Sequence, residues 1–286
     1  MAFSSRKFIR TAAALASIAA LALSSACGSG SEAESSSSDS SDITQQTVTP
    51  GKLTIATGDP AYEPWVMNDD PESGEGYEAA VAYAVAEKMG FDKSDVVWTR
   101  TTFDTAIAPG AKDWDMNIQQ FGITDERKKA VDFSSSYYND SQAVIVKKDG
   151  KYAKATSLSD LKDAVIGAMV GTEGYKYAKT IKDDVQTFND DAAVAQAFDA
   201  GQIDALVTST VECVYMVQAE QVTDAIVLGR IAGSTDPNGM GIVLPKDSKL
   251  TSAASKAVEE LEADGTLKTL QDKWLAEYTT DLAELE

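Results

Sequence analysis

The chain has 286 residues, 43% of them apolar, enough for two medium domains or one large one around a real core. Its 45 acidic residues outweigh 25 basic ones for a formal net charge of −20, and a surface of that sign repels phosphate backbones and anionic headgroups, which argues against nucleic acid and polybasic membrane contacts. Histidine is absent, which removes the commonest general base, the usual zinc ligand and any Ser-His-Asp triad.

Residues 1–26 begin basic, run apolar over 12–23 and end in small residues. That run is shorter than the roughly 20 residues that span a bilayer, so it reads as a secretory signal. Ser24-Ser25-Ala26-Cys27 resembles a lipobox, which implies cleavage before Cys27 and a lipid on that cysteine, with Ser24 standing where a leucine is usual. From residue 27 to 50 Ser, Asp, Glu, Gly and Thr dominate, too polar to offset the entropy of ordering, so a flexible tether is expected. With Cys27 modified, Cys213 has no intrachain partner, and its apolar setting over 211–217 predicts a buried, inert thiol.

The folded body is expected to start near Lys52. Residues 53–56 alternate as a strand, and Thr57 to Trp65, punctuated by Gly58, Pro60 and Pro64, forms the loop at its end, where open α/β sheets bind ligands. Tyr77, Val81, Ala84, Val85 and Met89 make a helical stripe stopped by Gly90. A strand over 96–98 follows, then a segment over 101–114 that includes a helix interrupted at Pro109-Gly110. Met116 and Ile118 alternate as a short strand leading through Gly122 to a helix start, with Thr124 as N-cap and Asp125 and Glu126 at the positive end of the dipole. Arg127 falls in that first turn, where its planar fork of donors matches a carboxylate, although such an arginine taken alone is more often a surface residue.

Residues 141–148 form a long apolar strand ending in a turn at Asp149-Gly150. A second unit then follows: a helix at 158–162, a strand at 164–168, a loop at 170–175 opening a helix, a helix at 191–198 closed by Gly201, a strand at 203–207, a helix at 210–219 and a strand at 226–228. Residues 239–245 cross back, and two helices, 249–263 and 267–278, break at Asp264-Gly265. Strands alternating with helices in both halves imply two α/β units with parallel pairing. Links near 141–148 and 239–245 would join them, giving one lobe from 51–142 and 240–286 and another from 143–239.

Several motifs occur in a fixed order: Gly58-Asp59-x-x-Tyr62-x-Pro64-Trp65, Gly76-Tyr77-Glu78 with its helix, the block from 115 to 138, Val170-Gly171-Thr172, residues 201–207, Gly239-Met240-Gly241-Ile242, and 263–267 with Lys273-Trp274. Together they resemble the polar amino acid family of ABC-transporter solute-binding proteins (family 3) over 53–278. The resemblance implies an α/β fold of two lobes joined by two hinge strands, the type II periplasmic-binding-protein or Venus-flytrap architecture. It implies capture of an amino acid or related small carboxylate between the lobes, delivery to a membrane permease, a monomer, an extracytoplasmic place on the membrane by lipid at Cys27, and no cofactor, metal or enzymatic activity.

Carried over position by position, the family pattern puts Asp59, Tyr62 and Trp65 in the cleft, with Tyr62 stacking on the ligand and Asp59 accepting a hydrogen bond. Gln119, Gln120 and Gly122 stand where small hydroxylated residues and backbone groups are usual, Arg127 is the carboxylate clamp, and Met169 and Thr172 come from the second lobe. Trp65 and Met169 are equally well read as core. The family usually carries an aspartate for the ligand ammonium where this chain has Ser209, and a buried ammonium without an anion is costly, so Glu173, Glu212 or Asp59 is expected to replace it. Two other readings stay open: a cleft enzyme of dehydratase or hydrolase type using a carboxylate pair such as Asp59 and Glu173, and a surface receptor that senses the ligand.

Overall fold

A computed structural model describes residues 42–279 and 281–286. The expected signal segment, the lipid site at Cys27 and the tether as far as residue 41 lie outside the described residues. Residues 42–50, expected as the end of that tether, belong instead to the body. Ile43 packs against the core, and the buried Asp115 carboxylate accepts from Val48 N–H and Thr54 N–H at 2.7 and 2.8 Å. The anchor is an aspartate far along the chain, so local composition could not reveal it.

The elements in the first half are β1 (Leu53–Thr57), α1 (Tyr77–Lys88), β2 (Val96–Arg100), α2 (Phe103–Ile107), β3 (Met116–Asn117) and β4 (Val131–Tyr138). The middle holds β5 (Gln142–Lys147), β6 (Ile166–Met169), α3 (Glu173–Ile181), β7 (Val185–Phe188), α4 (Asp191–Asp199), β8 (Ala205–Ser209), α5 (Thr210–Gln218) and β9 (Ala225–Ile231). The chain ends with β10 (Met240–Pro245), α6 (Thr251–Ala263), α7 (Thr266–Trp274) and β11 (Glu284–Leu285).

Two sheets result. The first runs β2-β1-β3-β10-β4, parallel through β2, β1 and β3 and antiparallel where β10 meets β3 and β4. The second runs β11-β9-β5-β8-β6-β7, with β6 parallel to β7 and β8 and β5 antiparallel to β8 and β9. The central strands β5 and β10 are buried on both faces, which is why they are largely apolar, whereas the edge strands β2 and β7 are only partly buried. In β5, Val144 and Val146 pack toward α3 while Ala143 and Ile145 pack toward α4 and α5, beside the fully buried Cys213. Burial pushes that thiol's pKa well up, as expected of an inert cysteine.

Several local expectations shift. Arg127 sits in a single 3-10 turn, Arg127–Lys129, rather than an α-helix; Thr124 caps it, its hydroxyl accepting from Arg127 N–H at 3.2 Å, but β4 begins too soon for a longer helix. The helix expected within 101–114 is α2, ending before Pro109-Gly110, while the one expected over 158–162 is a 3-10 turn, Leu158–Leu161. Strand β7 was not anticipated, because at the sheet edge only one of its faces packs and its alternation is short.

The expected links also move. Residues 141–148 and 239–245 are largely β5 and β10, inside the sheets; the chain actually passes between sheets over 139–141 and 232–239. These passages touch, with Asp236 N–H donating to Asp140 O at 3.4 Å. The last residues, expected with the first sheet, return to the second: β11 pairs parallel with β9, and Leu158 N–H donates to Glu286 O at 2.9 Å. No helix among the described residues is long and apolar enough to cross a membrane.

Candidate functional site

The loop leaving β1, the residues beyond β3, the β6–α3 turn, the residues beyond β7 and the β8–α5 turn converge on a cleft of about 350 Å³. Each leaves the carboxyl end of a parallel strand, where backbone groups and helix N-termini are free to meet a ligand. All twelve site residues expected from the sequence line this cleft.

Arg127 is buried and bridges the two sides. Its Nη1 donates to Gly122 O at 2.7 Å and its Nη2 to Gly171 O, in the β6–α3 turn, at 2.9 Å. Phe103 and Phe121, stacked at 4.3 Å, cover the guanidinium, which lies 5.4 and 5.7 Å from their ring centres. Burial lowers its pKa while Glu173 and Asp236 raise it, and a guanidinium stays charged under either influence. Two of its five N–H donors go to carbonyls, leaving three for an anion. Thr172 is less free than expected: its hydroxyl donates to Met169 O at 2.7 Å and accepts from Tyr175 N–H at 3.1 Å as the N-cap of α3, so what it offers an anion is the helix terminus rather than its own proton. Glu173 is already paired with Lys176 at 3.0 Å.

The two glutamines differ. Gln120 has a φ of 50° and is turned down onto the fully buried Glu78, which accepts from its backbone N–H at 2.7 Å, from its side-chain amide and from Tyr137 Oη. Burial pushes the Glu78 carboxyl up to about 7. Gln119 keeps a buried Oε1 without a hydrogen-bond partner among the described residues. Trp65 serves as both core and site: it is 1% exposed, edge-on to Tyr77 and Tyr138, yet also lines the cleft and faces Glu212. Met169 likewise lines the cleft while packing against the core under β5. Asp59 is exposed at the rim.

The far end is acidic. Ser209 Oγ caps α5 by accepting from Glu212 N–H at 3.2 Å, and around it gather Glu212, Asp140, Asp190 and Asp191. Asp190 caps α4, accepting from Ala193 N–H at 2.7 Å. Burial pushes Asp140 up to about 6 and raises Glu212 well above the carboxylate range, with Asp191 and Asp140 adding to the latter. The Tyr62 hydroxyl, unpartnered among the described residues, is pushed up to about 12 by burial and by Asp191, Asp190 and Glu212. Of the three anions expected to stand in for Ser209, Glu212 is the one that is buried and without a paired cation.

Asp140, Asp190, Asp191 and Asp236 escaped the sequence reading, as did Phe103. The acidic pair after β7 carries a usable signal, an N-cap at the end of a strand, hidden because that strand was not recognised. Asp140 and Asp236 carry none, since they lie in the passages between sheets and only tertiary structure turns them to the cleft. Among the described residues no group of acids and cysteines is placed to hold a metal ion.

The model of bacterial extracellular solute-binding proteins, family 3, matches residues 53–277. The chain is 28% identical over 222 residues to the L-cystine-binding protein TcyJ of Escherichia coli K12, covering 77% of this chain and 81% of that one. It is 30% identical over 212 residues to the ABC transporter arginine-binding protein 1 of Escherichia coli K12, covering 70% and 81%. Among solved structures it matches an ancestral arginine-binding protein bound to arginine, with a TM-score of 0.67, 30% identity, and coverage of 78% and 98%.

Proposed function

This chain belongs to the bacterial extracellular solute-binding proteins of family 3, with the type II periplasmic-binding-protein fold, and from that premise we propose that it captures a positively charged amino acid for an ABC importer. The observation that carries the charge preference is the cleft lining: eight carboxylates against a single cation, Arg127, among the described residues. Two of the eight, Asp140 and Glu212, are buried, and a neutral or anionic ligand would bring no charge to offset them. An amino acid with a cationic side chain supplies one carboxylate for the guanidinium and two positive groups for the acids. Similarity to proteins named for arginine and cystine supports the amino acid class.

In this reading the ligand carboxylate takes the remaining donors of Arg127 and the N-terminus of α3, so it joins groups from both sheets and stabilises the arrangement in which they meet. Gln119 Oε1 and the Tyr62 ring contact its middle. The body of the first sheet and that of the second, which includes β11, swing about the passages at 139–141 and 232–239, a permease receives the ligand unchanged, and the lipid at Cys27 keeps the monomer at the membrane. No step in the cleft transforms the ligand.

The test is a thermal-shift screen of L-arginine, L-lysine, L-cystine, L-citrulline, and agmatine as the amine without a carboxylate. A cationic amino acid at about 100 times its Kd should add roughly 2.7 kcal/mol and raise Tm by a few degrees, with L-citrulline and agmatine well behind. Replacing Arg127 by Ala should weaken the preferred ligand by roughly 2–5 kcal/mol in titration calorimetry. Agmatine binding as well as L-arginine, or unchanged affinity in Arg127→Ala, would remove the clamp from the account.

A further inference from the structure

The acidic end of the cleft is built differently from a solvated acidic patch. Glu212 is 5% exposed and Asp140 8%, and Glu212 Oε1 and Asp140 Oδ2 have no hydrogen-bond partner among the described residues. Asp140 spends its other oxygen on Ser141 N–H at 2.7 Å and lies near Ser209 and the first N–H groups of α5. Every titratable group facing the pair is acidic when it ionises: Tyr62 from the first loop, Asp190 and Asp191 from the start of α4, Tyr138 from β4, and Cys213 and Tyr215 on α5. The lone cleft cation, Arg127, faces Glu173 and Asp236 instead. Asp191 also acts on Glu212, more strongly than Asp140 does, and buried carboxyl groups lining one end of a cleft with no counter-charge do not all ionise; they retain a proton.

We infer that Asp140 and Glu212 form a cation subsite in which the positive group of the ligand displaces a proton held by the pair, so that capture releases that proton to solvent. The inference rests on the reading that the ligand is a cationic amino acid, and adds to it which carboxylates hold the cation and what leaves when it arrives. Charge balances: a carboxylic acid beside a carboxylate becomes two carboxylates around one ammonium or guanidinium, and one proton passes to buffer. An organic cation suits the site better than a metal ion, because the acids are not placed to converge on one ion. Asp140 lies in the passage between the sheets, and Glu212 on a helix of the second sheet, so a cation shared by both also fixes the passage. The direction follows from both carboxyl groups being raised by burial: the cation-binding form is populated as pH rises, so affinity falls in acid.

The experiment is titration calorimetry of the protein with L-arginine in buffers of different ionisation enthalpy, at about pH 5.5 and about pH 7.5. The slope of observed enthalpy against buffer enthalpy counts protons released. The wild type should release up to one proton near pH 5.5 and bind up to roughly tenfold more weakly per pH unit through the acid range. Glu212→Gln should lose most of that release and bind roughly 10- to 100-fold more weakly, while its unliganded Tm stays level or rises because a buried acid has gone. Asp140→Asn provides the second variant, with the same expected loss of proton release. Binding with zero slope in the wild type, or a slope unchanged in both variants, would overturn the subsite alone. Failure of L-arginine, L-lysine and L-cystine all to bind would instead sink the ligand class, and the subsite with it.

Discussion

At the scale of single residues, Glu78 shows how a buried acid outside the cleft shapes it. It holds Gln120 in a left-handed conformation against the cleft floor, with no cation facing it. Its carboxyl rises from the ordinary 4.5 to about 7, so the folded state binds its proton more tightly than the unfolded one. Its contribution to stability is therefore complete below about pH 4.5 and lost as pH rises through 7, a change on the order of 3 kcal/mol. Denaturation of wild type and Glu78→Gln across that window should show the variant gaining relative stability as pH rises; a constant difference would mean Glu78 keeps an ordinary pKa. The sequence made Arg127, Thr172 and Tyr62 legible as cleft residues through their motifs. It could not show that the Thr172 proton is spent on Met169 O or that Gln120 turns away to Glu78, since both depend on neighbours brought in by folding.

At the scale of elements, the passage over 232–239 is tightest at its end, where it meets β4. Gly239 has a φ of 65°, and a Cβ there would come within 2.7 Å of Tyr138 O on the neighbouring strand. Gly239→Ala should cost about 2 kcal/mol or more, from the left-handed backbone and from the forced separation of the passages, and should weaken ligand binding as well. Equilibrium denaturation and calorimetry on the same preparation check both parts; wild-type values in each would show that the passages tolerate separation. Helices α6 and α7 were readable because each buries one stripe at helical spacing. Strand β7 was not, because an edge strand buries too little to leave a pattern, and the Arg127 turn was over-read because an N-cap signal marks a start and says nothing of length.

At the scale of the whole molecule, the net charge of −20 and the acidic cleft act in one direction on a cationic ligand. Its association should slow several-fold as salt shortens the Debye length from about 30 Å at 0.01 M to about 3 Å at 1 M, while L-citrulline should associate at a nearly constant rate. Stopped-flow fluorescence, with Trp65 lining the cleft, gives both rates. Equal salt dependence for the two would place the attraction in dissociation rather than encounter.

What the sequence by itself determined is what local patterns encode: two α/β units, the loops at strand ends, and a motif order that assigns the family. These follow from periodicity and from turn chemistry, which act over a few residues. Only the tertiary structure decided where the passages run, that residues 42–50 and the C-terminal strand belong to the body, and which carboxylates line the cleft. Asp140, Asp191 and Glu212 are separated along the chain and carry no shared signature; folding brings them together, and burial without a counter-charge turns ordinary acids into groups that hold a proton until a cation replaces it.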